Sequence, residues 1–156
     1  SKLDDPEIVV FIDGDFSDFP EEIESLVKPI IENRADFVLG SRMIFPESRA
    51  ALLPQARYGN LLAVFLMKLF FRCQFTDLGP FRAIRYQSLK EISMTDKNFG
   101  WTVEMQIKVV KHGLRIMEIP VHYRKRIGVS KITGTISGTF KAGTKIIFTI
   151  FKYLLT

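Results

Sequence analysis

Near the start of the sequence the apolar run IVVFI (8–12) gives way to Asp13-Gly14-Asp15. Two carboxylates in D-x-D spacing, where a buried strand surfaces, have two chemical uses. They can hold a hard divalent cation, since magnesium takes oxygen ligands and commonly uses one or two carboxylates together with substrate phosphates. Alternatively they can cap the helix that follows, because acidic groups favour the positive end of its dipole. Gly14 would permit a tight turn between them. The string is short and common, so spacing alone leaves both uses open. A second stretch, YRKRIGVSK (123–131), sets Arg124, Arg126 and Lys131 around a glycine-containing loop and suits phosphate or an anionic lipid headgroup. Asp77, in Thr76-Asp77-Leu78-Gly79, occupies a turn position where Asp commonly satisfies backbone N–H groups. His112 and His122 lack ligand spacing and read as surface or core residues.

The elements that must position these groups follow from periodicity. Ile8–Ile12 is β-branched and aromatic without polar interruption, the pattern of a strand buried on both faces. Asp18 then Pro20-Glu21-Glu22 marks a helix start, with Asp18 or a neighbour as cap and proline in the first turn. Ile23, Leu26, Val27, Ile30 and Ile31 recur at helical spacing, with Pro29 set to kink or end the helix. ADFVLGSR (35–42) is the next buried strand, so residues 8–42 form a βαβ unit of the kind that builds parallel sheets. In such sheets ligands bind beyond the carboxyl ends of the strands, where Asp13 and Asp15 lie. Residues 43–54 read as a loop, 55–72 as a helix apolar on nearly every side, and 75–85 as a turn leading into a short strand. A short helical piece (88–92), a helix from Trp101 to Lys111, a strand within 114–126 interrupted by Pro120, and a Gly/Ser/Thr-rich loop (127–139) follow. Phe140, Thr144, Ile147, Phe151 and Leu154 form a final helical stripe, with Lys141, Lys145 and Lys152 on another face.

In this order the motifs resemble the family 2 glycosyltransferases of GT-A fold, in the branch that contains dolichyl-phosphate mannose synthase and related polyprenyl-phosphate sugar transferases. The matching stretches are IVVFIDGDFSDFPEEI, ADFVLGSR, ARYGNLL (56–62), TDLGPFRAIR (76–85) and GWTVEMQIKVVKHGLRIMEIPVHYRKRIGVSKI (100–132). The resemblance implies a truncated GT-A, nucleotide-diphospho-sugar transferase-like fold: an α/β, mixed and mainly parallel sheet with flanking helices. It implies Mg2+ or Mn2+ on Asp13 and Asp15, bridging the diphosphate of a UDP- or GDP-sugar donor. Arg124, Arg126 and Lys131 become the basic segment that closes on the donor phosphates. Arg42 and Arg57 would grip the acceptor phosphate, guanidinium being a planar fork that matches phosphate oxygens; pairing with the acids of 21–36 is the structural alternative for Arg42. Asp77 and Glu104 fall near the catalytic acids of the family. Glu104 serves as a base only if the acceptor is a hydroxyl, because a phosphate is already ionised. Trp101 is placed either against sugar or nucleotide or in the core. Family members begin with a βαβ portion that holds the nucleoside and carries a P-x-x-N-E motif. This sequence starts just before D-x-D, which implies either a fragment of a longer protein or a naturally shortened one.

Composition bounds these readings. The chain has 156 residues, 47% of them hydrophobic, enough for one core and against disorder. One domain, 1–156, is expected, closing in an apolar and membrane-associated candidate helix, 138–156. A lone cysteine, Cys73, excludes an internal disulfide and favours a reducing compartment. The net charge of +5 hides an acidic N-terminal end (residues 1–36, −8) and a basic C-terminal end (101–156, +8), suited to a cation and to phosphate or anionic lipid respectively. No signal peptide is evident, and the greasy segments 61–71 and 146–155 each contain a lysine and fall short of the roughly 20 residues of a bilayer span. A cytoplasmic location, peripheral on the membrane face, is expected. Three function classes follow: a metal-dependent inverting sugar transfer to a polyprenyl phosphate, lipid or other acceptor; a non-catalytic remnant that binds or forms a homodimer across its exposed sheet edge; and a nucleic-acid binder, disfavoured because the basic loop lacks interleaved aromatics.

Overall fold

The computed structural model describes residues 6–125, 127 and 136–155. Four strands, β1 (Ile8–Phe11), β2 (Phe37–Ser41), β3 (Arg82–Arg85) and β4 (Ile116–Pro120), form one sheet in the order β1-β3-β2-β4. β2 and β4 run parallel, while β3 lies antiparallel between β1 and β2. The sheet is thus mixed, and β1, β2 and β4 point the same way. The expected βαβ neighbours are separated by one strand, because β3 takes the place between them. Among the described residues β1 pairs only with β3, and it is half-buried throughout. Its unbroken apolar run therefore does not mark a doubly covered strand, whereas β2 is buried at all five positions.

The helices are α1 (Ile23–Ile31), α2 (Pro46–Ala51), α3 (Pro54–Phe71), α4 (Tyr86–Ile92), α5 (Trp101–Lys111) and α6 (Ile136–Leu155). Side chains alternate across each strand, and the sheet divides the core accordingly. Leu26 and Ile30 of α1 cover Val38 and Ala83 on one face. On the other, Phe37, Leu39 and Ile84 pack with Met67 of α3, Ile107 of α5 and Ile150 of α6. Burying each such side chain contributes about 1.5–3 kcal/mol.

Local chemistry explains the departures from expectation. Pro20 opens a 3-10 turn (Pro20–Glu22) before α1, but Asp18 caps neither, and no side-chain cap bond is made there. Pro29 sits in the last turn of α1, and its carbonyl accepts the N–H groups of Arg34 and Ala35 to close the helix. The expected loop 43–54 contains α2, with Pro46 in the first helical turn, where its missing N–H costs nothing. Among the described side chains of α6 the buried residues are Thr149 and Ile150, with Ile146 and Tyr153 packed against the core, while Phe151 and Leu154 of the expected stripe are exposed. The side chain of Phe140 lies outside the described residues.

Candidate active site

The carboxyl ends of β1, β2 and β4 converge. After β1 comes the turn Asp13–Asp18. Asp15 Oδ1 accepts hydrogen bonds from Ser17 N–H (3.0 Å) and from the Ser17 hydroxyl. Gly14 lacks a left-handed φ, and that conformation falls instead on Phe16 (φ 64°). A non-glycine residue there is strained and is held by its surroundings. Those surroundings come from the chain beyond β4. Arg124 N–H donates to the Ser17 carbonyl (3.0 Å), Arg124 Nε to the Phe16 carbonyl (2.6 Å), and Ile127 N–H to the Asp15 carbonyl (3.1 Å). The Arg124 guanidinium also lies over the Phe19 ring at 4.5 Å. Asp18 forms an antiparallel bridge with Tyr123. Acidic turn and basic segment, more than a hundred residues apart in sequence, are therefore one unit.

Asp18 is buried, with Oδ2 accepting Asp13 N–H (3.2 Å) and Oδ1 without a hydrogen-bond partner among the described residues. Burial pushes its carboxyl up to about 6, against the opposing effects of the Asp13 N–H bond and Arg42, with Asp13 and Asp15 adding to the rise.

After β2, Arg42 makes a forked pair with Asp77: Nε to Oδ2 at 2.8 Å and Nη2 to Oδ1 at 2.8 Å, with Arg42 N–H also donating to Oδ2 at 2.9 Å. The Arg42 side chain is 13% exposed and that of Asp77 fully buried. Burial opposes both charges, yet each holds the other ionised, so Asp77 falls below the ordinary carboxylate range and Arg42 rises above the ordinary guanidinium range. The Tyr123 ring lies 5.1 Å from the Arg42 guanidinium carbon, joining this pair to the basic segment. Arg42 therefore pairs with Asp77 rather than with the acids of 21–36.

The loop carrying Asp77 is fixed by three residues that sequence reasoning passed over. Asn60 of α3 donates to the Thr76 carbonyl (3.1 Å) and accepts Leu78 N–H (2.8 Å). Gln106 of α5 donates to the Asp77 carbonyl (2.8 Å). Arg82, fully buried in β3, donates to the carbonyls of Leu78, Gly79 and Thr102 and lies between the Phe37 and Trp101 rings. Burial pushes its guanidinium down to about 9, with Asp77 opposing the fall. The one available signal for these residues was a polar side chain at a core position of its element.

The remaining expected site residues lie apart. Trp101 packs on Phe11 (5.2 Å between ring centroids) and lines a cavity of about 400 Å³ at the β1 side of the sheet. Arg57 is exposed near the start of α3. Glu104 is fully buried and accepts from Thr95 N–H, Thr95 Oγ1, Asp96 N–H and the Tyr153 hydroxyl, with Lys108 Nζ at 2.8 Å. Burial alone would raise its pKa, but those donors outweigh it and hold the group at about 2. Through these partners Glu104 ties the 95–96 loop to α5 and α6. Arg126 and Lys131 lie outside the described residues. His122 is exposed, paired with Glu22 (2.6 Å) and stacked on Phe45; His112 is exposed.

Residues 4–93 match the family model described as Glycosyl transferase family 2, and the chain belongs to that family. It is 30% identical over 142 residues to an undecaprenyl-phosphate mannosyltransferase of Micrococcus luteus, covering 85% of this chain and 56% of that protein. It is 28% identical over 136 residues to an uncharacterized glycosyltransferase of Mycobacterium bovis (86% and 61%). A UDP-N-acetylglucosamine–dolichyl-phosphate N-acetylglucosaminyltransferase of Methanococcus voltae is 29% identical over 118 residues (74% and 47%). The chain thus spans roughly half the length of these relatives. The expected family and α/β fold are borne out.

Proposed function

We propose that this chain forms the acceptor side and metal-binding rim of a glycosyltransferase that moves a sugar from a UDP- or GDP-sugar to a polyprenyl phosphate or related lipid acceptor. The observation that carries this reading is the union of Asp13–Asp18, the Arg42–Asp77 pair and Arg124 at the carboxyl ends of three co-directional strands. The names of two relatives, which specify undecaprenyl-phosphate and dolichyl-phosphate chemistry, support the acceptor class.

The donor set suits a hard cation. Among the described residues no three His, Cys, Asp or Glu side chains gather into a metal cluster. A carboxylate pair leaves coordination positions for phosphate oxygens and water, as magnesium prefers. The buried, unpartnered Asp18 Oδ1 behind that pair fits the same chemistry. When bound, Mg2+ or Mn2+ offsets charge developing on the leaving diphosphate. Arg124, held across the turn, adds positive charge to the donor side. Asp77 fixes the Arg42 guanidinium over Tyr123, so that it faces an acceptor phosphate without the entropy loss of ordering a free arginine. In an inverting displacement the acceptor oxygen forms its bond to the anomeric carbon as the carbon–oxygen bond to the diphosphate breaks, and the electron pair leaves with the nucleotide. A phosphate acceptor carries no proton to remove, in keeping with Glu104 being saturated by donors.

Thermal shift with GDP- or UDP-sugars plus Mn2+ tests the reading. A rise in Tm that Asp13→Ala and Asp15→Ala each abolish supports it. No response in the wild-type chain sinks it and leaves the non-catalytic class, which draws its support from the single-sided pairing of β1.

A further inference from the structure

A cleft runs between the loop that precedes α5 and the neighbouring side of α6. It consists of two adjoining cavities, of about 360 and 550 Å³, whose walls share Asn98, Lys145 and Phe148. Each falls within the size range of small-molecule sites. Neither Arg42, Asp77, Arg124 nor any residue of the Asp13–Asp18 turn lines it. The loop wall is fixed by its own hydrogen bonds. Glu104 accepts Thr95 N–H at 2.9 Å and Asp96 N–H at 2.6 Å, and Asp96 accepts Asn98 N–H at 2.7 Å and Lys145 Nζ at 2.9 Å. Gly100 lets the loop reach the helix, since a Cβ there would meet Thr149 Oγ1 at 2.5 Å and Asp96 Oδ2 at 2.7 Å. A wall held in this way is ordered before a ligand arrives, which lowers the entropy cost of binding.

Charge and shape select the occupant. Lys97, Lys141, Lys145 and Lys152 line the cleft against one acid, Asp96, which is engaged with Lys145. α6, which is not long and apolar enough to cross a membrane, carries no Asp or Glu. Four lysines against one acid leave an excess of three positive charges, matched by a ligand that carries phosphate groups. The cleft also has an aromatic part. Phe148 is 62% exposed and Phe99 40%, and both line the larger cavity. Lys145 Nζ lies 5.8 Å from the Phe148 ring centroid, so a cation and an aromatic surface adjoin. A flat ring stacked on Phe148, with its phosphates among the lysines, uses both features. Inorganic phosphate uses one of them, and a lipid phosphate brings an aliphatic glycerol unit where the ring would stack.

We infer that the cleft between the 95–99 loop and α6 is a binding site for a nucleoside phosphate, held by lysines and aromatic rings without a metal ion and separate from the acidic turn after β1. This does not rest on the transferase reading, and its test is read without the Mn2+ on which the thermal-shift test above depends, so either can fail alone.

Calorimetric titration of the full chain with ADP and with pyrophosphate, both in EDTA, tests it. The wild type binds both, ADP the more tightly, and salt weakens both. Lys97→Ala/Lys152→Ala, at exposed positions, lowers both affinities about tenfold or more, because charge-assisted hydrogen bonds to phosphate are lost. Lys28→Ala/Lys68→Ala removes the same charge from exposed positions of α1 and α3 and leaves both affinities within a factor of about two. Phe148→Ala lowers ADP affinity about fivefold or more and leaves that of pyrophosphate unchanged, because only the stacked ring loses its partner. Should the Lys97/Lys152 variant lose the wild-type circular dichroism spectrum, Lys141→Ala takes its place with the same direction expected. Three results overturn the inference: a wild type that binds neither ligand, cleft lysine variants that bind no more weakly than Lys28→Ala/Lys68→Ala, or an equal effect of Phe148→Ala on ADP and pyrophosphate. In the first case, uptake of vesicles containing phosphatidic acid assigns the lysines to a lipid phosphate instead.

Discussion

Replacing Asp77 by Asn separates charge from shape at the centre of the site. The Asp77 carboxylate accepts from Arg42 N–H, Arg42 Nε, Arg42 Nη2 and Leu78 N–H, all within 2.9 Å. Asn offers one carbonyl oxygen and turns an NH2 group toward donors, so the Arg42 cation stays buried and uncompensated. Breaking a buried pair from one side costs about 3–5 kcal/mol. In a domain of this size each kcal/mol moves Tm by about 2–4 °C, so a fall of roughly 6–20 °C is expected. Arg42→Met leaves the opposite charge stranded and costs a similar amount. The double variant Arg42→Met/Asp77→Leu strands neither charge. Leu78 N–H keeps Asn60 Oδ1 as acceptor at 2.8 Å, and the residue-42 N–H alone loses its partner, at about 1–3 kcal/mol. Urea unfolding of the wild type, Asp77→Leu, Arg42→Met and the double variant gives the coupling energy, expected above about 2 kcal/mol. The pH dependence has a definite sign. Asp77 titrates below its unfolded value of 3.8, so the unfolded chain takes up its proton first; the stabilisation is complete above that pH and is lost as pH falls through the lower folded pKa. Strict additivity of the two single variants, or an Asp77→Asn loss under about 1 kcal/mol, would refute the claim that the pair acts as one buried unit.

Glu104, held at about 2 against an unfolded value of 4.5, stabilises the fold above pH 4.5 and ceases to do so as pH falls toward 2. Thermal unfolding of Glu104→Gln across that window is expected to vary less with pH than the wild type; an equally steep dependence would assign the carboxylate another role. Gly40→Ala is expected to lower stability by about 1–3 kcal/mol in denaturant titration, because its Cβ would meet Val121 Cγ1 at 2.8 Å and the Phe81 carbonyl at 3.1 Å, where β4 and β3 flank β2. Gly14→Ala, whose Cβ meets nothing within 4 Å, is expected to leave the melting temperature unchanged and serves as the matched control in the D-x-D turn.

The elements were legible in the sequence because each carries its own period and punctuation: α5 runs from Trp101 to Lys111 as its spacing predicts, and α3 matches its apolar run to within a residue or so. Pairing was not legible. Nothing in RAIR announces that β3 will lie antiparallel between β1 and β2, since strand order depends on contacts distant in sequence. For the same reason the D-x-D turn could be located but not described. Its conformation rests on Arg124 and Ile127, and its buried member is Asp18, which looked like a helix cap until its partners were known. Arg42 and Asp77 were both picked out, yet as separate functional groups, because a bidentate pair thirty-five residues apart leaves no local trace. The exposed face of α3 shows how the two kinds of information meet. A helix apolar on nearly every side requires two apolar environments, and the described residues supply one of them. Leu61, Phe65 and Leu69 were visible as an excess over what one core could cover, and the structure shows on which side that excess lies.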